Sequence, residues 1–245
     1  MIRYSGNLGN FEYDENEYSI DTVATKDSIT YIGTTGKTVI PKGLKDASGL
    51  FIGFKGEMID ISGSDTSEIT VFDEMFARCP NLKMIVGIET MNVSSGKSFT
   101  LMFDGANSLK ELDLHNWDMS KAENVDLMFW QCKNLEKLNC ENWQLPKCES
   151  AELFVSHCYA LSELNVKNWY APNMRSVSKF ACGCHNLKQL ALESWSCNKL
   201  EKVQGMLAGC PALKRPDFSS WGLSDYDVVR IFNDTSDNFD QMGLF

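Results

Sequence analysis

The sequence predicts an elongated α/β solenoid of about seven stacked coils. Five of the six tryptophans recur at 26-residue intervals, and four cysteines follow the same period. A leucine stands three residues after each of these cysteines. A fixed period of 20–50 residues is typical of tandem units that stack into one continuous core. The tryptophans are Trp117, Trp143, Trp169, Trp195 and Trp221, and the cysteines are Cys132, Cys158, Cys184 and Cys210.

Each unit is predicted to begin with a short strand. The copy that starts at Leu109 has the pattern L-x-x-L-x-L-x-x-W, which ends at Trp117. The L-x-L segment from Leu112 to Leu114 alternates, and this is typical of a strand with one buried face. Equivalent strands are expected near Ile59, Ile85, Leu112, Leu138, Leu164, Leu190 and Pro216.

A short helix is predicted after each strand. Val125, Met128, Phe129 and Cys132 follow the spacing i, i+3, i+4, i+7, which places them on one face of a helix. A single unit cannot bury both its strand face and its helix face. Stacked neighbours can, and this favours a solenoid over a globular domain.

The ends of the chain depart from the repeat. Residues 1–56 contain the segments EYSIDTV, SITYIG and KTVIPKG, which predict short strands in an N-terminal β cap. Residues 57–234 form the predicted solenoid, and residues 235–245 form a tail without periodicity. The segment SDYDVVRIFND predicts a final helix with Ser224 as its N-cap and acidic residues in its first turn.

Two weak copies precede the tryptophan-bearing ones. Ser64 and Thr90 are expected to take the tryptophan position in these copies, with one extra residue before Phe99. Degraded copies are expected near the end of a solenoid, because an end coil has a neighbour on one side only.

Composition narrows the class of partner. The net charge of −10 argues against a general nucleic-acid-binding surface. No apolar run approaches the length of a membrane span, so no membrane insertion is expected. The first ten residues lack the apolar core of a signal peptide, and no wall-anchoring sequence follows the repeats.

The nine cysteines are predicted to be buried, reduced thiols, because most occupy apolar positions of the repeat and their number is odd. The alternative is a zinc site on neighbouring coils. Its candidate ligands are His157, Cys158, Cys182, Cys184 and His185. The tryptophans are likewise predicted to pack in the core, and stacking on sugars is their alternative.

No catalytic, cofactor or metal residues are predicted. The segment Gly36–Thr38 ends like a phosphate-binding loop, but Tyr31 stands where the first glycine is needed and a strand-like run follows. The three histidines occupy three different positions of the unit, so repetition does not bring them into one pocket. An enzymatic function therefore has little support.

The outward side chains of the strands form the predicted partner-binding face. The middle residue of each L-x-L strand and the residue just before the strand point away from the core, and extended solenoid faces commonly bind partners. Glu111, Asp113 and Glu163 are expected to form an acidic patch for a basic partner. The predicted face consists of Glu111, Asp113, Lys137, Asn139, Glu163, Asn165 and Gln189.

The segment LKELDLHNWDMSKAENVDLMFWQC, residues 109–132, resembles the BspA-like leucine-rich repeat of bacterial surface proteins. The resemblance rests on L-x-L-x-x-W followed by M-F-x-x-C and covers about residues 57–234. It implies a right-handed, horseshoe-like leucine-rich-repeat solenoid. It also implies an adhesin-like protein that binds a protein partner at the cell surface or outside the cell. The alternative function is a structural component of a larger assembly, such as a virion or a secreted complex.

Overall fold

A computed structural model describes residues 22–25, 28–31, 40, 42–192, 194–195 and 197–233. The chain begins with an antiparallel pair, β1 (Thr22–Thr25) and β2 (Ser28–Tyr31). These strands overlap two of the three segments predicted for the N-terminal cap. The third predicted segment lies mostly outside the described residues, and so does the tail 235–245.

Five short strands follow at the repeat period, as the sequence predicts. They are β3 (Met58–Asp60), β4 (Met84–Val86), β5 (Glu111–Asp113), β6 (Lys137–Asn139) and β7 (Glu163–Asn165). All pair in parallel: β3 with β4, and β5 with β6 and β7. In every strand the central side chain is buried, and both flanking side chains are more accessible. This alternation confirms the strand-based repeat fold.

The strands predicted near Leu190 and Pro216 do not form among the described residues. Both segments continue the stack, and the Lys214 N–H still donates to the Lys188 carbonyl at 2.9 Å. Pro216 has no N–H to contribute to a ladder, which disfavours a strand in the second of these segments. Nothing in the sequence of the segment around Leu190 explains why pairing ends there.

The short helix predicted in each unit is wrong. After β5, the N–H groups of Trp130 and Cys132 bond to carbonyls three residues earlier, at 2.9 and 3.2 Å. The N–H groups of Leu127, Phe129 and Gln131 instead donate to carbonyls of the next coil, at 2.9, 2.9 and 3.0 Å. The segment is thus a run of tight turns, and alternate residues are bonded across the stack. We call this run the turn segment of a coil.

The turn segment cannot be helical because two positions in each coil are left-handed. These residues have φ between 55° and 75°, outside the range of an α-helix. One position comprises Gly49, Glu74, Leu101, Leu127, Leu153, Lys179 and Gly205. The other comprises Gly53, Arg78, Gly105, Gln131, His157, Gly183 and Gly209. Glycine recurs in both sets, and this sequence signal could have excluded a helix.

Residues 44–54 already have the hydrogen-bonding and stacking pattern of a turn segment. Ala47, Phe51 and Gly53 donate their N–H groups to the following coil at 2.8–2.9 Å, and the Phe51 ring stacks on Phe76 with centroids 5.3 Å apart. Regular stacking therefore begins within the segment assigned above to the cap, and the boundary at residue 57 stays a prediction.

The five repeating tryptophans form a column inside the stack, as predicted. Successive rings are nearly parallel, with centroids 4.9–6.4 Å apart. Every indole Nε1 donates to a backbone carbonyl 29 residues earlier, at 2.6–3.4 Å. Trp143 and Trp169 are fully buried, and the other three are at most 4% exposed. The rings are therefore packing elements and offer no face to a sugar.

The cysteines form a second buried column. The thiols of Cys79, Cys132, Cys158, Cys184 and Cys210 each donate to a carbonyl of the preceding coil at 3.0–3.2 Å. All nine are free, and eight are buried. Burial raises the pKa of the Cys79 thiol to about 12, so it is neutral at physiological pH and a weak nucleophile.

The extra residue of the irregular copy lies at Gly87. The Trp117 indole keeps the 29-residue spacing in its bond to the Ile88 carbonyl at 2.9 Å. On the strand side, the separation of Ile85 from Leu112 exceeds the repeat period by a single residue. The extra residue therefore lies between Ile85 and Ile88, where Gly87 adopts φ +87°.

This placement corrects the prediction for the upstream copy. Met91, not Thr90, lies one repeat period before Trp117 and takes the tryptophan position, where it is buried. The short 3-10 helix Ile88–Thr90 occupies the chain just before it. The extra residue thus precedes the bend and does not lie directly before Phe99.

An α-helix closes the described stack. The helix α1 (Asp225–Phe232) begins at Ser224, whose side chain accepts the N–H of Asp227, as the sequence predicts. Ile231, on the inner face of this helix, is buried. In the last turn segment, the N–H groups of Gly205 and Leu207 donate to the helix carbonyls of Arg230 and Ile231, both at 2.8 Å. The helix α1 therefore takes the place of a further coil. A second 3-10 helix, Ser219–Trp221, precedes it.

Candidate partner-binding face

All seven residues of the predicted partner-binding face line one open groove over the strands. The groove has a volume of about 1340 Å³ and extends over β5, β6, β7 and the two segments that continue the stack. Small-molecule pockets usually measure about 300–1,000 Å³ and enclose their ligand. We call this surface the strand face.

The parallel register places equivalent residues side by side on the strand face. Leu112, Leu138 and Leu164 pair across β5, β6 and β7 and point into the core. The residues before and after them form two outward columns, with neighbours one strand spacing of about 4.8 Å apart. The repeat period therefore converts residues distant in sequence into one continuous surface.

The three carboxylates expected to form an acidic patch are interrupted by a lysine. Lys137 lies between Glu111 and Glu163 in the register and makes an ion pair with Glu111 at 3.1 Å. The hydrogen bond that Lys137 donates to Glu111, together with the charges of both glutamates, raises the pKa of Lys137. This part of the face carries mixed charge, which corrects the expectation of a purely acidic patch.

Hydrogen bonds hold the second column in place. Asp113 accepts from Asn139 Nδ2 at 2.9 Å and shares a 2.7 Å hydrogen bond with His115 Nδ1. Partial burial acts to raise the pKa of Asp113, but the hydrogen bonds from His115 and Asn139 outweigh it, and the pKa is lowered. Asn165 donates to Glu141 at 3.0 Å. These contacts fix the side chains before any partner arrives.

The far end of the strand face is basic. Lys167, Lys188, Lys214 and Arg215 line the groove there, beside Asp217. Among the described residues, no carboxylate makes an ion pair with Lys188 or Lys214, and the Arg215 guanidinium lies over the Phe232 ring at 4.9 Å. Sequence reasoning missed this basic end, although the two lysines stand at the same position of consecutive units.

The near end of the strand face carries an apolar notch. Within the described residues β4 and β5 are not paired, and a cavity of about 330 Å³ lies between them. Ile85, Ile88, Leu109 and Leu112 line it, and Met84 lies at its mouth with 51% of its surface exposed.

The described part of the chain offers no alternative metal site. It contains no group of three histidine, cysteine or acidic side chains that could hold a metal ion, so the candidate zinc ligands are not brought together. The Cys158 and Cys184 thiols instead donate to backbone carbonyls. Within the described residues, no helix reaches the length and hydropathy needed to cross a bilayer.

Comparison with known proteins gives a family and one structural likeness. The crystal structure of a leucine-rich repeat protein from T. pallidum matches with 15% sequence identity and a TM-score of 0.39, and the match covers 83% of this chain and 91% of that one. No curated protein matches. The family described as "Mycoplasma protein of unknown function, DUF285" matches residues 45–169 and 150–243, which together include most of the chain. The chain therefore belongs to this family.

Proposed function

We propose that this protein is a non-enzymatic protein-interaction module that binds a protein partner through its strand face. The observation that carries the proposal is the assembly of all seven predicted residues into one open groove. Extended solenoid faces of this kind commonly serve as docking surfaces. The strand face combines hydrogen-bonded polar side chains, two lysines without an ion-pair partner among the described residues, and an apolar notch. Protein-binding surfaces likewise join apolar and polar groups.

The repeated polar and apolar groups of the core are occupied in packing, which supports binding rather than catalysis. The tryptophan Nε1 groups and the column thiols donate to backbone carbonyls of the preceding coil. His115 is hydrogen-bonded to Asp113 on the strand face. His157 and His185 lie elsewhere, each against the ring of Tyr159.

The proposal extends to the adhesin-like role implied by the resemblance to BspA-like repeats. In that role the strand face would contact a protein outside the cell. The right-handed winding, the seven coils and the N-terminal β cap expected from the sequence belong to the same proposal. A protein of this kind needs a long, rigid surface, and the tryptophan column and turn segments supply that rigidity.

Comparing two sets of charge reversals tests the proposal. The first set changes Glu111→Lys, Asp113→Lys and Glu163→Lys on the strand face. The matched control set changes Asp118→Lys, Glu123→Lys and Glu149→Lys, which are exposed and lie away from the strand face. Surface substitutions usually change stability by less than about 0.5 kcal/mol each, so both proteins should fold.

The wild-type protein is immobilised, and captured proteins are identified by mass spectrometry. Affinity of the purified partner is then measured for wild type and both variants. We expect a loss of about tenfold or more for the strand-face set and little change for the control set, because each 1.4 kcal/mol is a factor of ten in affinity. Equal affinity of the two variants, with folding intact by circular dichroism, would place the binding surface elsewhere.

A further inference from the structure

The apolar notch arises from one extra residue. Gly87 has φ +87°, and a Cβ at this position would lie 2.9 Å from the Ser62 Cα, so only glycine fits without rearrangement. The chain turns away here and enters the 3-10 helix Ile88–Thr90. As a result β4 does not pair with β5, and a cavity lined by the buried side chains of Ile85, Ile88, Leu109 and Leu112 lies between them.

The break is confined to the strand side of the coil. On the turn side, Val71, Ser98 and Asn124 remain linked by parallel bridges across the same coils. The Phe72 and Phe99 rings also stack without interruption, with centroids 5.1 Å apart. The notch is therefore held open by a continuous stack behind it.

The charges around the notch are predominantly acidic. Glu89, Glu111 and Asp113 line it together with Lys83. Lys83 is already paired with Glu57 at 2.8 Å and Glu111 with Lys137 at 3.1 Å. Glu89 has no ion-pair partner among the described residues, so Glu89 and Asp113 carry the acidic character of the rim. An apolar group entering the notch would therefore meet a rim that favours neighbouring positive charge.

The basic end lies at a fixed distance from the notch. Lys188 belongs to the third coil after β5 and Lys214 to the fourth. At about 4.8 Å per coil, they lie roughly 14–19 Å along the stack from β5. An extended chain rises about 3.3 Å per residue, so about four to six residues span this distance.

We propose that the strand face binds an extended segment of a partner protein with a defined order of side chains. An apolar side chain flanked by basic residues enters the notch, and carboxylates about four to six residues away meet Lys188 and Lys214. The inference rests on the proposed function and adds the chemistry of the partner to it. Burial of the apolar group supplies affinity, and the separated charges fix the register.

Synthetic peptides test this order directly. The probe is a fluorescently labelled peptide in which a leucine between two lysines is followed, after a short glycine–serine spacer, by three glutamates. One control peptide has the same composition with the charges scrambled. A second control replaces the leucine by asparagine. Binding to the full chain is measured by fluorescence anisotropy at low and at physiological salt.

Protein variants test the basic end. Lys188→Glu with Lys214→Glu is compared with Lys121→Glu with Lys147→Glu. Both pairs are exposed lysines separated by one repeat period, but the second pair lies outside the groove. We expect the first pair to weaken the patterned peptide about fivefold or more and the second pair to change little. Replacing the leucine should weaken binding about tenfold, because asparagine does not supply the apolar surface that leucine would bury in the notch.

Equal binding of the patterned and scrambled peptides, or equal effects of the two lysine pairs, would overturn the inference. Failure of every peptide would also overturn it. If strand-face charge reversals still abolish binding of the captured partner, the proposed function stands without this partner chemistry. If those reversals leave the captured partner bound, the proposed function itself fails, whatever the peptides do.

Discussion

The upstream coils carry β3 and β4, and the downstream coils carry β5 to β7 and the repeating tryptophans. The two regions have the same structure on the side of the turn segments and differ on the side of the strands. Both have the same left-handed positions in their turn segments, and phenylalanine rings stack through both. Only the downstream coils have the tryptophan column, and the strand pairing breaks between the two regions. The turn segments therefore maintain the stack, while the strand side tolerates an insertion and can be shaped for binding.

Removing one tryptophan should have the largest effect and should separate the two regions. Trp169→Ala removes a fully buried ring that stacks on two neighbours and donates to the Cys140 carbonyl at 2.7 Å. We expect a loss of ~3–5 kcal/mol in the free energy of unfolding, against ~2 kcal/mol for Met91→Ala at the same position upstream. Urea unfolding followed by circular dichroism measures both. Equal losses would show that the tryptophan column adds nothing to packing.

Gly87→Ala should have the next largest effect, because it acts where the two regions meet. The added Cβ would crowd the Ser62 backbone at a left-handed φ, and we expect a loss of ~2–3 kcal/mol. Gly105→Ala is the matched control. It has φ +62°, but its nearest neighbour, the Arg78 Cα, lies at 4.0 Å, so the loss should be ~1 kcal/mol. The two free energies of unfolding come from the same urea titration, and a larger loss for Gly105→Ala would contradict the insertion site.

Asp104, in the coil between β4 and β5, should make stability fall as pH rises. Burial, opposed by Arg78 and reinforced by Glu74, raises the pKa of Asp104 to about 6 from an ordinary value of 3.8. The folded state thus binds more protons than the unfolded state between these values, so stability decreases from about pH 4 to pH 6 and is constant above. Asp104→Asn should gain on the order of 2 kcal/mol at pH 7.

The check for Asp104 is urea unfolding across this pH window. The control is Asp118→Asn, an exposed carboxylate in the following coil. If the wild type and Asp104→Asn have the same pH dependence, Asp104 is ionised in the folded protein and its burial has no consequence for stability.

The smallest expected effect concerns the left-handed positions that lack glycine. Gln131 has φ +56°, and glycine adopts this conformation without the steric cost of a Cβ. We expect Gln131→Gly to raise the free energy of unfolding by up to ~1 kcal/mol, reduced by the greater freedom of glycine in the unfolded chain. Thermal unfolding measures the shift. A clear decrease in stability would show that the turn segment depends on the glutamine side chain.

Much of the fold could be predicted because the repeat aligns residues that share one environment. The L-x-L alternation located β3 to β7, and the fixed spacing of tryptophan and cysteine predicted their burial. The helix was predicted wrongly because successive tight turns also bury residues at i, i+3, i+4 and i+7. Sequence hydrophobicity cannot distinguish the two cases, whereas the recurring glycines could.

The candidate site could likewise be predicted only in part from the sequence. The outward columns and the position of Lys137 between two glutamates follow from the repeat period alone. The notch does not follow from the repeat period, because several placements of the extra residue between Val86 and Phe99 fit the sequence equally well. Hydrogen bonds decide among them, and these are a property of the folded coils.

The alternate N–H groups of the turn segments give the molecule a characteristic mechanical behaviour. Because these bonds run along the stack, a force that pulls its two ends apart acts on every interface between coils, and the interfaces with the fewest bonds open first. Each released coil would lengthen the molecule by about 80–90 Å, the extended length of one repeat. Among the described residues, strand pairing is missing between β4 and β5 and again after β7, so rupture should begin at these interfaces. The boundary that opens the notch is thus also a joint at which the stack would yield early under tension.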